Sequence, residues 1–274
     1  MAWVRRELRE LGIPPLKRFG QHFLLSQQIR DLLVDQAHLS TADTVVEVGA
    51  GLGFVTVALS SRAGQVIALE KDRTLAANLV KRFAKCGNVQ VVQGDALKFL
   101  IPHNAKIVSS PPYNISSKLV LRILASHFKL ASLLLQEDFI RRLTAKSGSR
   151  DYGRLTVMLQ TRARAEYVSF VPRSAFYPQP RVDSGIARIT PDSGMRTPKD
   201  WGIFEDLVRS LFTQRRRKAA RVLSRYMDAK YRREKAVVLS RASLDDRRVY
   251  ELTPTDFVLL SNLIAESINT SKER

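Results

Sequence analysis

The sequence predicts an α/β fold, a parallel sheet covered by helices on both faces, followed by a small C-terminal all-helical domain. Three observations predict it. Short valine-rich runs alternate with helical stretches from residue 44 to about 139, the pitch of parallel strands joined by crossover helices. The pattern changes after about residue 151, and "PDSGMRTPKD" at 191–200 is dense in Pro, Gly, Ser and charge, as linkers are. Beyond it the chain reads as helix alone. The expected organisation is an α/β domain over 1–190, a linker over 191–200 and a helical domain over 201–274.

Taken in order, residues 1–20 are basic, with Pro14, Pro15 and "KRFG" at 17–20. "QQIRDLLVDQAHL" sets Ile29, Leu32, Leu33 and Ala37 at helical spacing. "TVVEVGA" (44–50) reads as a buried strand, "FVTVALSSRA" (54–63) as a helix and "QVIALEK" (65–71) as the second strand. "RTLAANLVKRFAKCG" reads as a helix with Gly87 at its stop. "NVQVVQGDAL" (88–97) and "AKIVSSPPY" (105–113) hold the third and fourth strands, "SKLVLRILASHF" a helix, and "LASLLLQEDF" (130–139) a fifth strand running into a helix. "RLTVMLQTRARAEYVSFVP" starts helical and ends extended, and a final strand follows over 182–190. "WGIFEDLVRSLFTQRRRKAARVLSRYM" reads as the first and longest helix of the tail, and the last helix begins near "TPTDFVLLSNLI".

Apolar residues make up 45% of the 274, enough for a proper core and against wholesale disorder. The lone Cys86 excludes an internal disulfide framework and a cysteine metal cluster, and fits a reducing compartment. His22, His38, His103 and His127 show no ligand spacing, so no metal is expected. "MAWVRRELRELGIPP" has no apolar core of signal-peptide length, and no run approaches the ~20 apolar residues that cross a bilayer. A cytoplasmic location is expected. The net charge of +19 repels itself without a polyanion nearby, and nucleic acid is the expected one; so large a single-sign charge also favours a monomer.

The glycine turn "EVGAGLG" follows the first strand and opens a helix. Gly49, Gly51 and Gly53 would set backbone N–H groups beside a ligand at the strand's carboxyl end. Its spacing and the acid at its head differ from the dinucleotide fingerprint G-x-G-x-x-G. Glu70 ends the second strand, where a carboxylate accepts both hydroxyls of a ribose. Asp95 follows the third in "GDA", placed to accept from an adenine's exocyclic amine. Together they describe a nucleoside site without a phosphate-binding lysine. Asp72 reads as a solvated surface acid.

"SSPPYNISS" (109–117) follows the fourth strand. Its prolines cannot donate hydrogen bonds, so neighbouring carbonyls can be aimed at ligand N–H groups. The amine of adenine is a poor nucleophile because its lone pair is delocalised into the ring. The Ser110 hydroxyl and Pro111 carbonyl could hold its two hydrogens and turn the lone pair toward an electrophile, a matter of positioning and electrostatics. Stacking on Tyr113 would hold an extruded base, worth ~1–3 kcal/mol.

"GQHFL" (20–24), "VEVGAGLGFVT", "ALEKD", "GDAL", "SPPYNISS" and "SAFYPQPRVDSGI" fall in an order that resembles the ribosomal RNA adenine N6-dimethyltransferase family, over most of 17–190 and weakly into the tail. The resemblance implies a Rossmann-like methyltransferase sheet, S-adenosylmethionine as donor, and two adjacent adenines near the 3′ end of small-subunit rRNA in an immature small ribosomal subunit as targets. It implies that His22 and Leu24 touch the donor near its methionine end, that Gly49, Gly51 and Gly53 form its turn, that Glu70 binds the ribose, and that Asp95 binds the adenine with Ala96 beside it. Ser110, Pro111, Pro112 and Tyr113 would be the target-amine motif, with Phe176 facing Tyr113 across the flipped base. The family motif usually reads Asn-Leu/Ile-Pro-Tyr/Phe. Ser-Pro-Pro-Tyr also resembles DNA methyltransferases acting on cytosine N4, and serine stays an acceptor, shorter than asparagine. The alternatives are an amino-methyltransferase acting on another nucleic acid and a non-catalytic assembly factor.

Residues 209–235 hold eleven Lys or Arg against two acids. Leu207, Leu211, Val222 and Leu223 can face a core while Arg215, Arg216, Arg217, Lys218 and Arg221 point outward to RNA phosphates.

Overall fold

A computed structural model of the protein describes residues 2–12, 21–194 and 196–272. Pro14, Pro15, "KRFG" (whose Gly20 opens "GQHFL") and Met195 of the expected linker lie outside the described residues. The chain divides into two compact units. One takes the chain up to Ile140 together with Arg164–Pro191; the other takes Arg141–Ala163 and the chain from Asp192 onward.

The first unit opens with α1 (Ala2–Glu10), β1 (Phe23–Leu24) and α2 (Gln27–Asp35), the last capped by the Ser26 side chain accepting from the Ile29 N–H. The repeating units follow: β2 (Thr44–Val48), α3 (Phe54–Ser60), β3 (Gln65–Glu70), α4 (Arg73–Arg82), β4 (Val89–Gln93), β5 (Lys106–Ser109), α5 (Ser116–Leu124) and β6 (Leu130–Gln136), and the boundary at Ile140 falls within the next helix, α6 (Glu137–Leu143). Helix α4 ends at Arg82, short of Gly87; Phe83 is its C-cap, its N–H donating to the Leu79 carbonyl, and its side chain is buried. Asp72 is not a loose surface acid: its side chain accepts from the Thr74 and Leu75 N–H groups and caps α4.

Later in the chain come α7 (Arg154–Gln160), β7 (Ala163–Val171), β8 (Phe176–Tyr177) and β9 (Ser184–Pro191). The main sheet has seven strands in the order β4-β3-β2-β5-β6-β9-β7. Strands β4 through β6 are parallel, as their alternation with helices requires, but β9 runs antiparallel to β6. The sheet is therefore mixed rather than wholly parallel. The order reverses between β2 and β5, the switch point at which an α/β sheet opens a crevice at its carboxyl edge. A separate two-stranded ladder pairs β1 with β8, Phe23 opposite Tyr177 and Leu24 opposite Phe176.

The second unit contains α7, α8 (Trp201–Phe212), α9 (Ala219–Lys230), α10 (Lys235–Arg241) and α11 (Pro254–Lys272). The expected single boundary at 190 is corrected here, because 141–163 joins the C-terminal helices. Tyr152 is fully buried and donates to the Leu252 carbonyl at 2.8 Å, with its ring 6.0 Å from that of Phe212. The apolar face of α7 (Val157, Met158, Leu159) is buried in the same unit. The expected long helix from 201 is also broken. At 213–218 the chain leaves the helix and pairs with 247–250: the Val249 N–H donates to the Arg217 carbonyl, the Tyr250 N–H to that of Arg215, and the Ala219 N–H to that of Arg247. Leu207, Leu211, Val222 and Leu223 are buried on either side of the break, as expected. The longest helix is α11.

Candidate functional site

A cavity of about 480 Å³ opens at the switch point of the first unit, within the size range of small-ligand sites, roughly 300–1,000 Å³. Four consecutive loop tips converge on it. Gly49 and Gly51 come from the end of β2, Glu70 from β3, Asp95 and Ala96 from the loop after β4, and Ser110, Pro111 and Pro112 from the end of β5; His22 and Leu24 complete the same wall. The Ser109 hydroxyl donates to the Val48 carbonyl at 2.6 Å and ties the ends of the two central strands together beneath it.

The glycine turn works through shape. Gly49, Gly51 and Gly53 all have positive φ, which other residues adopt only with strain. A Cβ on Gly49 would stand 3.2 Å from Pro112 Cδ, so the glycine lets the turn after β2 and the proline motif after β5 share one wall. The expected presentation of backbone N–H groups is corrected. The Gly49 and Ala50 N–H groups donate to the Leu69 carbonyl, and the Gly51 N–H to Glu70 Oε2 at 2.8 Å. Gly53 does not line the cavity. It precedes α3, and a Cβ there would meet Phe83 Cε2 at 2.8 Å and Leu79 Cδ2 at 2.9 Å, so it is a packing position.

Glu70 is 7% exposed, and its second oxygen accepts from the Asp72 N–H at 2.9 Å. Burial pushes its pKa up against the pull of these backbone bonds. Two backbone donors hold the carboxylate plane while each oxygen keeps a lone pair for a ligand hydroxyl. Asp95 is more open. It accepts from the Leu97 N–H and from Lys71 Nζ, each at 3.0 Å, and these partners, the Leu97 bond first, hold its carboxyl below the usual range.

Tyr113 stands in a single 3-10 turn just beyond the lining. Its hydroxyl bonds the buried Ser184 Oγ at 2.6 Å, and its ring stacks on that of His22, centroids 5.5 Å apart and planes 26° off parallel. Burial pushes the phenol pKa up. His22 Nδ1–H in turn donates to the Pro178 carbonyl at 2.7 Å. Phe176 is placed differently from expectation. It is 2% exposed and packs in the core with Leu24, Val108 and Ile186, outside the cavity. The strand period of two explains this: opposite Leu24 in the ladder, Phe176 points inward, and Tyr177, opposite Phe23, takes the other face.

Several lining residues had no role assigned from sequence. Trp3 lines the cavity from α1, whose Val4 and Leu8 are buried against Leu52 and Leu75; the apolar spacing of Trp3, Val4 and Leu8 in "AWVRRELRE" was the available signal. Asn114 and Lys118 line it beyond the proline motif. Glu47, the acid heading the glycine turn, is 2% exposed and accepts from the Thr56 hydroxyl at 2.6 Å. Burial pushes its pKa up to about 8. A carboxylate in the middle of a valine strand was the clue to it.

In the second unit, Arg216, Arg217, Lys218 and Arg221 are exposed, with Lys218 paired to Asp246 at 2.8 Å. Arg215 is corrected. It is half-buried, its guanidinium donates to the Arg150 and Ser149 carbonyls at 3.1 and 3.3 Å, and it lies 5.5 Å over the Tyr250 ring. Its part is to hold the loop at 148–150.

A family model described as ribosomal RNA adenine dimethylase matches residues 16–266. The chain is 37% identical over 262 residues to a probable ribosomal RNA small subunit methyltransferase A of Pyrococcus abyssi, covering 94% of this chain and 95% of that one. A protein of the same description from Thermococcus onnurineus is 39% identical over 255 residues, covering 91% and 92%. Among solved structures, a dimethyladenosine transferase from Plasmodium falciparum superposes with a TM-score of 0.80 at 26% identity, covering 91% of this chain and 98% of that chain. The 23S rRNA methyltransferase ErmE gives 0.68 at 28%, covering 89% and 99%.

Proposed function

The chain belongs to the ribosomal RNA adenine dimethylase family, and from that premise we propose that it transfers methyl groups from S-adenosylmethionine to N6 of two adjacent adenosines near the 3′ end of small-subunit rRNA. Its first unit is a Rossmann-like methyltransferase fold. The observation that carries the reading is the convergence of Glu70, Asp95 and the Ser110–Pro112 segment on one cavity at the sheet's switch point.

The residues present fit the donor. Glu70, oriented by the Gly51 and Asp72 N–H groups, is the acceptor for ribose hydroxyls, and Asp95 with Ala96 meets the adenine. His22, Leu24 and the turn at Gly49 and Gly51 bound the rest of the cavity. S-adenosylmethionine supplies an electrophilic methyl on a sulfonium sulfur. The chain supplies geometry. The Ser110 hydroxyl and the Pro111 carbonyl accept the two hydrogens of the target amine, so that its lone pair faces the donor. Tyr113, held at its hydroxyl by Ser184 and on its face by His22, presents an aromatic surface for the extruded base. Arg216, Arg217, Lys218 and Arg221 position structured RNA through its phosphates, while shape and the extruded base specify it. The domain roles follow: methyl transfer in the first unit, RNA positioning in the second. A cytoplasmic monomer acting on immature small subunits completes the proposal; among the described residues no helix is long and apolar enough to cross a membrane.

The test is transfer of label from radiolabelled S-adenosylmethionine to immature small subunits, with duplex DNA alongside. Label in the ribosomal RNA alone is expected. Label in DNA alone would move the target to another nucleic acid. Tight subunit binding without label would leave an assembly factor.

A further inference from the structure

The second unit holds a cavity of about 310 Å³ whose lining includes Arg150, Arg215, Arg216, Arg248, Tyr250 and Ser149, and no carboxylate. Three segments close it by hydrogen bonds to backbone carbonyls. The Gly148 N–H donates to the Tyr250 carbonyl at 2.8 Å, the Tyr250 N–H to the Arg215 carbonyl at 3.1 Å, and Arg248 Nη1 to the Arg216 carbonyl at 3.1 Å. The terminal nitrogens of Arg215 are taken up by the Arg150 and Ser149 carbonyls. Its Nε and the Ser149 hydroxyl are buried without a hydrogen-bond partner among the described residues. Buried donors left unpaired are costly, and each calls for an explanation, of which an ion or water supplying the missing acceptor is one. Four guanidinium groups gather with no carboxylate in the cavity lining, the Glu251 carboxylate being engaged on the Arg248 backbone N–H at 2.6 Å, and this makes that acceptor an anion. Arginine's planar fork suits phosphate oxygens.

We propose that this cavity is a phosphate site, in which Arg150, Arg216 and Arg248 grip one backbone phosphate of the RNA substrate against a floor made by Arg215, Ser149 and Tyr250. The proposal rests on the reading of the second unit as RNA-positioning and names where one phosphate goes. It brings in two arginines outside the 215–221 run, Arg150 and Arg248, and converts Arg215 from an outward contact into the floor.

The test compares two full-length variants with the same loss of charge. Arg150→Gln/Arg216→Gln empties the cavity of two cations whose side chains are exposed; Arg232→Gln/Arg233→Gln removes two exposed cations elsewhere in the unit. Circular dichroism melts confirm that both fold. Binding to immature small subunits is measured across a salt series, and binding of inorganic phosphate by calorimetry at fixed ionic strength. The cavity pair is expected to weaken subunit binding about 10-fold more than the control pair and to flatten the log–log salt slope by about one further phosphate. Ser149→Ala alone should weaken binding without changing the slope. Equal behaviour of the two pairs would overturn the proposal. So would saturable phosphate binding that depends on the cavity while subunit binding does not, since the site would then serve a free anion. If wild-type protein neither binds nor methylates small subunits, the RNA reading itself has failed; if it does both and the pairs match, only this site falls.

Discussion

Replacing Glu47 with glutamine removes a proton-binding group from beneath the glycine turn while keeping its shape and an acceptor for the Thr56 hydroxyl. Burial raises the Glu47 pKa from its ordinary 4.5 to about 8, with the nearby Glu70 charge adding to the effect and the Thr56 bond opposing it. Below 4.5 the folded and unfolded chains both hold the proton. Between 4.5 and about 8 the folded chain keeps a proton that the unfolded chain has released, so this group's contribution to stability falls as pH rises. The slope is ~1.4 kcal/mol per pH unit, which integrates to roughly 3–4 kcal/mol between pH 5 and 8 as an upper figure. Glu47→Gln cancels that loss. Its buried amide adds a penalty of ~1–3 kcal/mol, but that penalty does not vary with pH. Glu70 still titrates with a raised pKa, so the readout is the difference between the two proteins. Urea denaturation from pH 5 to 9 measures it. The variant should gain stability relative to wild type steadily with pH and level off above about pH 8. Parallel profiles would mean that Glu47 is ionised in the folded protein and that the buried-acid argument is wrong.

Four further outcomes follow from the same geometry. Asp95→Ala should weaken S-adenosylmethionine binding in calorimetry by ~10-fold, about the worth of one hydrogen bond to a charged group, and unchanged affinity would remove Asp95 from the site. Tyr113→Ala should leave donor affinity intact and abolish transfer, whereas normal transfer would show that the base is held elsewhere. Ser110→Asn, restoring the more usual amide at the target-amine motif, should preserve or raise dimethylated product by nucleoside mass analysis, and its loss would mean the motif is misplaced. Lys106→Met should cost up to ~3–5 kcal/mol in urea denaturation, because Lys106 and Asp43 form a buried pair at 2.9 Å with 6% side-chain exposure each and, among the described residues, only Lys129 and Ser40 remain as partners of the Asp43 side chain; a cost below ~1 kcal/mol would show that those partners suffice.

The site was legible where chemistry follows from strand order. Glu70 ends β3 and Asp95 follows the end of its parallel neighbour β4, so a βα repeat alone delivers them to one edge, and the three glycines of the turn all take positive φ. Legibility failed where a residue's neighbour is far away in sequence. Phe176 looks the same whether it faces a ligand or the core, and the ladder between β8 and β1 decides. In "QRRRKAARVL" the helical pattern is interrupted up to Lys218, where 247–250 supplies competing backbone partners, and resumes as α9 from Ala219. The apolar face of α7 would suit either unit, and Tyr152's bond to the Leu252 carbonyl shows which it joined. Gly53 carries the signature of a ligand turn yet answers to Leu79 and Phe83 beneath it.

The most direct measurement is mass analysis of nucleosides digested from immature small-subunit rRNA after incubation with the protein and S-adenosylmethionine. N6,N6-dimethyladenosine at two adjacent positions near the 3′ end is the expected product, and it should vanish with Tyr113→Ala while donor binding persists. Donor binding with no methylated adenosine in wild type, or methyl groups on another base, would contradict the account.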